Sequence, residues 1–178
     1  MKSKIVITAL TICLISIALL SVEIYKRELE EKKILFMELY IPLLASESVL
    51  KWSKYYDLNW IDVFSLLMTE SNGKRTAKSG KRCKGYLQMS EGTAEYTRNR
   101  LKEIIHDTNI YATEFNIASG CLFLKYLDKY YAKGDLRILF SMYNTGSYNY
   151  RVRKKRAKRH TRNCLINLTY YKSQWEKF

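Results

Sequence analysis

The chain has 178 residues, a length that suits one domain, and carries 31 Lys and Arg against 17 Asp and Glu for a formal net charge of +14. Apolar residues make up 47%, with 15 Tyr and 3 Trp, so the chain can bury a core and is not disordered throughout. One Pro and seven Gly count against a loop-rich all-β protein, and the basic excess calls for an anionic partner: nucleic acid, a membrane surface or an acidic polymer.

Lys2 and Lys4 precede Ile5 to Val22, 18 residues without a charge. As a helix these would reach ~27 Å, close to a hydrocarbon core of ~30 Å. The segment reads as a signal peptide or an uncleaved anchor. The best small-residue cleavage site, Ser16-Ile17-Ala18, lies inside the apolar run, which favours an anchor over residues 1–22 with the rest of the chain exported. Residues 23–39 open charge-dense (EIYKRELEEKK) and read as a helical juxtamembrane spacer, with Glu28 and Lys32 at i,i+4.

From residue 40 the apolar spacing becomes helical. Pro42 suits the first turn of a helix reaching about Tyr55. Asn59 caps the next one, in which Val63, Leu66, Leu67 and Glu70 fall at i, i+3, i+4 and i+7. Glu70 closes that apolar stripe, so its carboxyl is expected to be partly withdrawn from water. Residues 71–92 hold four of the seven glycines and read as an irregular loop with at most a small hairpin over 71–88. Ser90 caps a helix to about Ile105, and another runs from about Thr113 to Tyr131 before Gly134. Asp135 caps a short one carrying Leu136, Leu139, Phe140 and Tyr143. The fold class is all-α.

Cys13, Cys83, Cys121 and Cys164 lack metal-ligand spacing, and with His106 and His160 as the two histidines no metal or other cofactor is called for. One disulfide among the last three cysteines and buried free thiols both fit. Both histidines are expected to face solvent.

Glu70-Ser71, then Ala77, Ser79, Gly85-Tyr86-Leu87-Gln88-Met89 and Thr93-Ala94, form an ordered series. Asn116 to Gly120 and Tyr143-Asn144-Thr145-Gly146 continue it. The series resembles the motifs of the soluble lytic transglycosylase catalytic domains, which are similar in fold to goose-type lysozyme. The resemblance covers residues 40–150. Arg82 and Cys83 stand where the family usually has Gly and Ala, Ser90-Glu91 where it has Met-Pro, and Tyr170-Tyr171 only approximate its closing Tyr-Val.

The resemblance implies a lysozyme-like domain over residues 40–178 that cleaves the β-1,4 bond between N-acetylmuramic acid and N-acetylglucosamine in peptidoglycan glycan strands. The muramic acid 6-hydroxyl would close onto its own anomeric carbon, leaving a 1,6-anhydro end. Ordinary glycosidases use two carboxylates; here Glu70 would be the single catalytic acid and base. Burial disfavours the charged form of a carboxyl, which suits a proton donor. Ser71 and Gln88 would bond near the acetamido group, Asn144 would hold the sugar, and Tyr143 would support Glu70 or line its wall. Gly85 and Gly146 would admit the glycan closely, and Met89 and Tyr170 complete the substrate-binding set.

With that substrate, the chain is expected on a bacterial inner membrane as a single-pass protein, its catalytic domain on the periplasmic side. Arg151 to Arg162 holds eight Lys or Arg in twelve residues. Alone it would suit nucleic acid or an anionic membrane; on an exported domain the expected contact is anionic wall or lipid headgroups, or plain solvent, and not nucleic acid. The small size suits local opening of the wall for turnover or for a trans-envelope assembly. Two alternatives stand beside this reading. A muramidase of the same fold would use water and a second acid, yet no Asp lies between Asp62 and Asp107. A non-catalytic peptidoglycan-binding scaffold would keep the fold without the chemistry.

Overall fold

The computed structural model describes residues 2–146 and 154–178; for residues 2–10 and 154–156 it describes the backbone alone. The described residues form helices joined by loops and contain no strand. In order they form α1 (Lys2–Glu38), α2 (Leu43–Tyr55), α3 (Trp60–Ser71), α4 (Glu91–Leu101), α5 (Thr113–Leu127), a π-helical turn (Asp128–Ala132), α6 (Leu136–Thr145) and α7 (Lys154–Lys177). Isolated bridges join Lys78 to Lys84 and Lys84 to Met89, which is all the hairpin character the 72–90 loop has.

Side chains set the helix starts as their spacing foretold. Asn59 accepts from the Ile61 amide at 3.2 Å, Ser90 from Thr93 at 3.2 Å, and Asp135 from Arg137 at 2.8 Å. Each satisfies a backbone donor that the first turn would otherwise leave free. The ends differ more. The helix expected to reach Ile105 stops at Leu101, and the run expected to reach Tyr131 changes to π geometry at Asp128.

Helix α3 is the centre. Ile61, Val63, Phe64, Leu66, Leu67 and Met68 are all buried, so more than one of its faces is covered. Helix α7 packs against α3 and α6, α5 against α2 and α4, and α1 against α2. The spacer and the expected anchor form one helix. Its last turns enter the core through Phe36 and Met37, while Ile12, Leu14, Ile17 and Leu20 are exposed. Lys32 does not pair with Glu28 but lies 5.4 Å over the ring of Trp175. No helix among the described residues is long and apolar enough to cross a membrane. Ile5 to Leu10 of the expected anchor and Arg151 to Arg156 of the basic run lie outside the residues whose side chains are described.

The surprise in sequence terms is α7. Beneath its basic surface, Ala157, Thr161, Cys164, Leu168 and Tyr171 form a buried stripe at alternating spacings of three and four.

Candidate active site

Glu70 is the penultimate residue of α3, where the buried helix gives way to the loop. Its side chain is 13% exposed, as its place at the end of the apolar stripe requires. His160 of α7 meets it: Nε2 lies 2.8 Å from Glu70 Oε1, and the imidazole is 14% exposed. This corrects the expectation that His160 faces solvent, whereas His106 is exposed. The physical reason is the buried stripe of α7, which turns His160 toward the end of α3. One turn on, Cys164 Sγ lies 3.6 Å from His160 Nδ1. Burial, and then the Glu70 charge, push this thiol up to about 12, so it stays protonated. Asn167 donates to Thr69 Oγ1 at 2.9 Å and fastens α7 to α3 beside the pair.

Glu70 faces a cavity of about 470 Å³ lined by Ser79, Gly80, Lys81, Cys83, Gln88, Tyr143 and Asn144. A second cavity of about 220 Å³ shares Cys83, Gln88, Tyr143 and Asn144 and extends past Met89, Phe123 and Gly146. The two form one cleft between the 72–90 loop and the end of α6.

The loop is seated from behind. Asn116 on α5 accepts from the Leu87 amide at 2.8 Å and donates to the carbonyls of Lys84 at 3.0 Å and Ile110 at 2.8 Å. One turn further, a Cβ on Gly120 would meet Leu87 Cδ1 at 2.2 Å, so only glycine admits Leu87. Tyr143 closes the third side, its hydroxyl donating to the Leu87 carbonyl at 2.7 Å. Burial first, and the Glu70 charge second, hold this phenol well above its ordinary value. Tyr143 therefore lines the Glu70 wall but spends its hydroxyl on the loop.

The other expected site residues divide. Gln88 sits at φ +47°, and its side-chain nitrogen donates to Ala77 O at 3.1 Å and Gly85 O at 3.0 Å. Asn144 Oδ1 is buried in the cleft wall with no hydrogen-bond partner among the described residues. Met89 lines the second cavity, and Gly146 joins it there. Ser71 is buried but bonds back to the Leu67 carbonyl at 3.1 Å and lines neither cavity. Gly85, at φ +81°, has a reason in the fold itself, because a Cβ there would strike Asn116 Nδ2 at 2.2 Å. Tyr170 is not brought to the cleft. It is 49% exposed and lines a separate groove of about 770 Å³ between α6 and α7 with Arg137, Ile138 and Arg162. Its neighbour Tyr171 takes the buried position, its ring 4.8 Å from that of Phe64. The residue that sequence reasoning missed beside Glu70 is His160. Cys83, Cys121 and Cys164 are free thiols.

Among the solved structures that share this fold are three of lytic transglycosylases. The lytic transglycosylase Slt of Pseudomonas aeruginosa, as an inactive glutamate-to-glutamine mutant, matches with a TM-score of 0.65 and 18% identity over 76% of this chain and 25% of that one. The 70 kDa soluble lytic transglycosylase of Escherichia coli matches with a TM-score of 0.62 and 17% identity over 71% of this chain and 24% of that one. A complex of the 70-kDa soluble lytic transglycosylase with bulgecin A gives 0.63 and 18% over 74% and 24%. The chain thus spans about a quarter of the length of these proteins. No curated protein sequence matches it. The Transglycosylase SLT domain family model matches residues 47–166, a span that contains Glu70, the loop, the Asn116 helix turn, Tyr143-Asn144 and His160. The chain belongs to the Transglycosylase SLT domain family.

Proposed function

We propose that the protein is a peptidoglycan lytic transglycosylase that cleaves the N-acetylmuramic acid β-1,4 N-acetylglucosamine bond and leaves 1,6-anhydro ends. The observation that carries the reading is the lining of the cleft: Glu70 is its one carboxyl among the described residues. Hydrolysis with two carboxylates needs a second one beside the scissile bond. A single carboxyl suffices when the substrate supplies its own nucleophile. Glu70 protonates the leaving oxygen, the N-acetyl carbonyl of the muramic acid stabilises the oxocarbenium-like centre, and the Glu70 carboxylate then takes the proton of the 6-hydroxyl as it closes onto the anomeric carbon.

The cleft supplies acceptors for the sugar. Both donor bonds of the Gln88 nitrogen run to backbone carbonyls, which leaves its side-chain oxygen for an acetamido N–H or a hydroxyl. Asn144 Oδ1, buried and unpaired, offers a second acceptor; an acceptor left so costs about 1–3 kcal/mol until a donor arrives.

The placement in the cell is part of the same proposal. Residues 1–22 hold the protein in a bacterial inner membrane with the catalytic domain on the periplasmic side, supported by the exposure of Ile12, Leu14, Ile17 and Leu20 on α1. Lys158, Arg159 and Arg162 are exposed, and the run 151–162 meets anionic wall or lipid headgroups. Its neutralisation weakens sacculus binding at low salt, and unchanged binding removes that contact. Local wall opening for turnover or for a trans-envelope assembly is the role this proposal serves.

Digestion of purified sacculi followed by mass spectrometry tests the activity. Anhydro-muropeptides released by the native chain and abolished by Glu70→Gln support it. Reducing muramic acid ends identify a muramidase, and binding without release identifies a scaffold.

A further inference from the structure

We infer that the catalytic unit is a Glu70–His160 pair, in which His160 is a positioning residue that holds one carboxylate oxygen so that the other faces the glycan. The inference rests on the lytic transglycosylase reading and deepens it: a single carboxyl that must act as acid and then as base acquires a partner that favours each form in turn.

The geometry assigns the atoms. Glu70 Oε1 is taken by His160 Nε2 at 2.8 Å, which leaves Oε2 for the cleft that Glu70 lines. Both side chains are about seven-eighths buried, at 13% and 14% exposed, so little water competes for the bond. Nδ1 faces Cys164 Sγ at 3.6 Å, and that thiol is held protonated. The thiol also lies 3.8 Å from Nε2, so it covers the ring without marking one nitrogen; a carboxylate oxygen only accepts, which makes Nε2 the donor. The bond therefore runs from Nε2–H to Oε1. α7 is fixed for the task on both sides of the imidazole, by the buried Ala157, Thr161, Cys164 stripe and by Asn167 on Thr69 at 2.9 Å.

The proton balance follows. In the first step the Oε2–H bond breaks, the leaving oxygen gains the proton and the glycosidic C–O bond breaks. Negative charge grows on the carboxyl, and the Nε2–H bond to Oε1 strengthens as it does. In the second step the 6-hydroxyl gives its proton to Oε2 while its oxygen bonds to the anomeric carbon. The His160 proton stays on Nε2 throughout. The pair needs only that Nε2–H donor, so a neutral donor in its place keeps the positioning and a side chain without one loses it.

Other titratable groups stand around the pair. Tyr143 of α6 and Cys164 of α7 are both raised by burial and keep their protons. Lys81 and Cys83 reach the cavity from the loop, Lys81 being exposed and Cys83 half-buried, and Lys158 and Arg159 on α7 are exposed.

The test is the kinetics of muropeptide release from sacculi by the full chain, with kcat and KM separated. His160→Gln keeps an N–H donor and holds kcat within about tenfold of native at an unchanged KM. His160→Ala loses the donor, and its kcat falls below that of His160→Gln while KM stays. Equal kcat in native protein and His160→Ala overturns the proposal. NMR of the His160 ring supplies a readout that needs no turnover: in Glu70→Ala the Nε2–H resonance moves, because its acceptor is gone. An unmoved resonance overturns the pair even if the chain is active. A chain that releases nothing, but shows the moved resonance, overturns the functional reading and leaves the pair standing.

Discussion

Asn116 holds Leu87 by its backbone amide, at 2.8 Å, across 29 residues of sequence, and the same carboxamide donates to the carbonyls of Lys84 and Ile110. Its side chain is fully buried, and Gln88 and Met89 of the cleft follow directly on Leu87. Asn116→Ala strands one donor and two acceptors. We expect a stability loss of about 3 kcal/mol by urea denaturation, with reduced muropeptide release even where the variant is still folded. A loss below about 1 kcal/mol means the loop is held elsewhere.

Gly120 and Gly92 give opposite outcomes for the same change. Gly120→Ala drives a methyl into Leu87 Cδ1, 2.2 Å away, and is expected to destabilise by about 1–3 kcal/mol. Gly92, in the first turn of α4, has nothing within 4 Å of an added Cβ, so Gly92→Ala is expected to stabilise by up to about 1 kcal/mol. Thermal melts of the two variants side by side decide it; equal shifts refute the contact at Gly120.

These contacts show what was legible in the sequence. The motif that reads Asn-x-x-x-Gly spaces a carboxamide and a gap one helical turn apart, and both serve the loop bearing Gln88. Glu70 was legible for a related reason: the spacing of Val63, Leu66 and Leu67 fixes which way α3 faces, and its buried stripe leads to Glu70. Caps at Asn59, Ser90 and Asp135 are local, so they too can be read from letters. His160 is different. It comes 90 residues after Glu70, and its orientation is set by how α7 lies on α3 and α6. The run RVRKKRAKRHTR advertises charge, while the apolar stripe through Ala157, Thr161 and Cys164 is sparse enough to pass unnoticed. The contact of Gly85 with Asn116 was not legible, since a glycine beside a cleft and a glycine beside a buried Asn look alike in sequence.

Tyr143→Phe removes the donor to the Leu87 carbonyl, and a loss of about 1–2 kcal/mol is expected near neutral pH. The raised phenol fixes the sign of its pH dependence. A group whose folded value lies above its unfolded value contributes fully below the unfolded value, ~10 for tyrosine, and loses that contribution as pH rises beyond it. The difference between native and Tyr143→Phe should therefore stay level from pH 5 to about 9 and shrink above about 10. Chemical denaturation across that range checks it, and a difference that grows with alkalinity contradicts the assignment.

Thiol labelling separates the four cysteines. Cys13 is exposed and Cys83 half-buried at the cleft, whereas Cys121 and Cys164 are buried and both raised by that burial, Cys164 to about 12. A maleimide should modify Cys83 in the folded protein and Cys121 and Cys164 only after unfolding, while Cys13 is shielded when residues 1–22 sit in a bilayer. In a Cys13→Ser background, one label per chain is expected, and glycan fragments should slow it because Cys83 lines both halves of the cleft. Rapid modification of Cys164 in native protein would contradict its place behind His160.

Helix α1 bears on reach. From about Leu29 onward it lies against the body, with Glu30 paired to Lys54 at 2.6 Å and Phe36 and Met37 in the core, whereas Ile12 to Glu28 stands clear. Those 17 residues extend ~25 Å without a glycine or proline to bend at. The cleft is thus carried on a strut and not on a leash. With residues 1–22 in a bilayer, as proposed, Glu23 to Glu28 alone stand between it and the body, ~9 Å of helix, and the proposed anchor would set the height at which Glu70 meets a glycan strand.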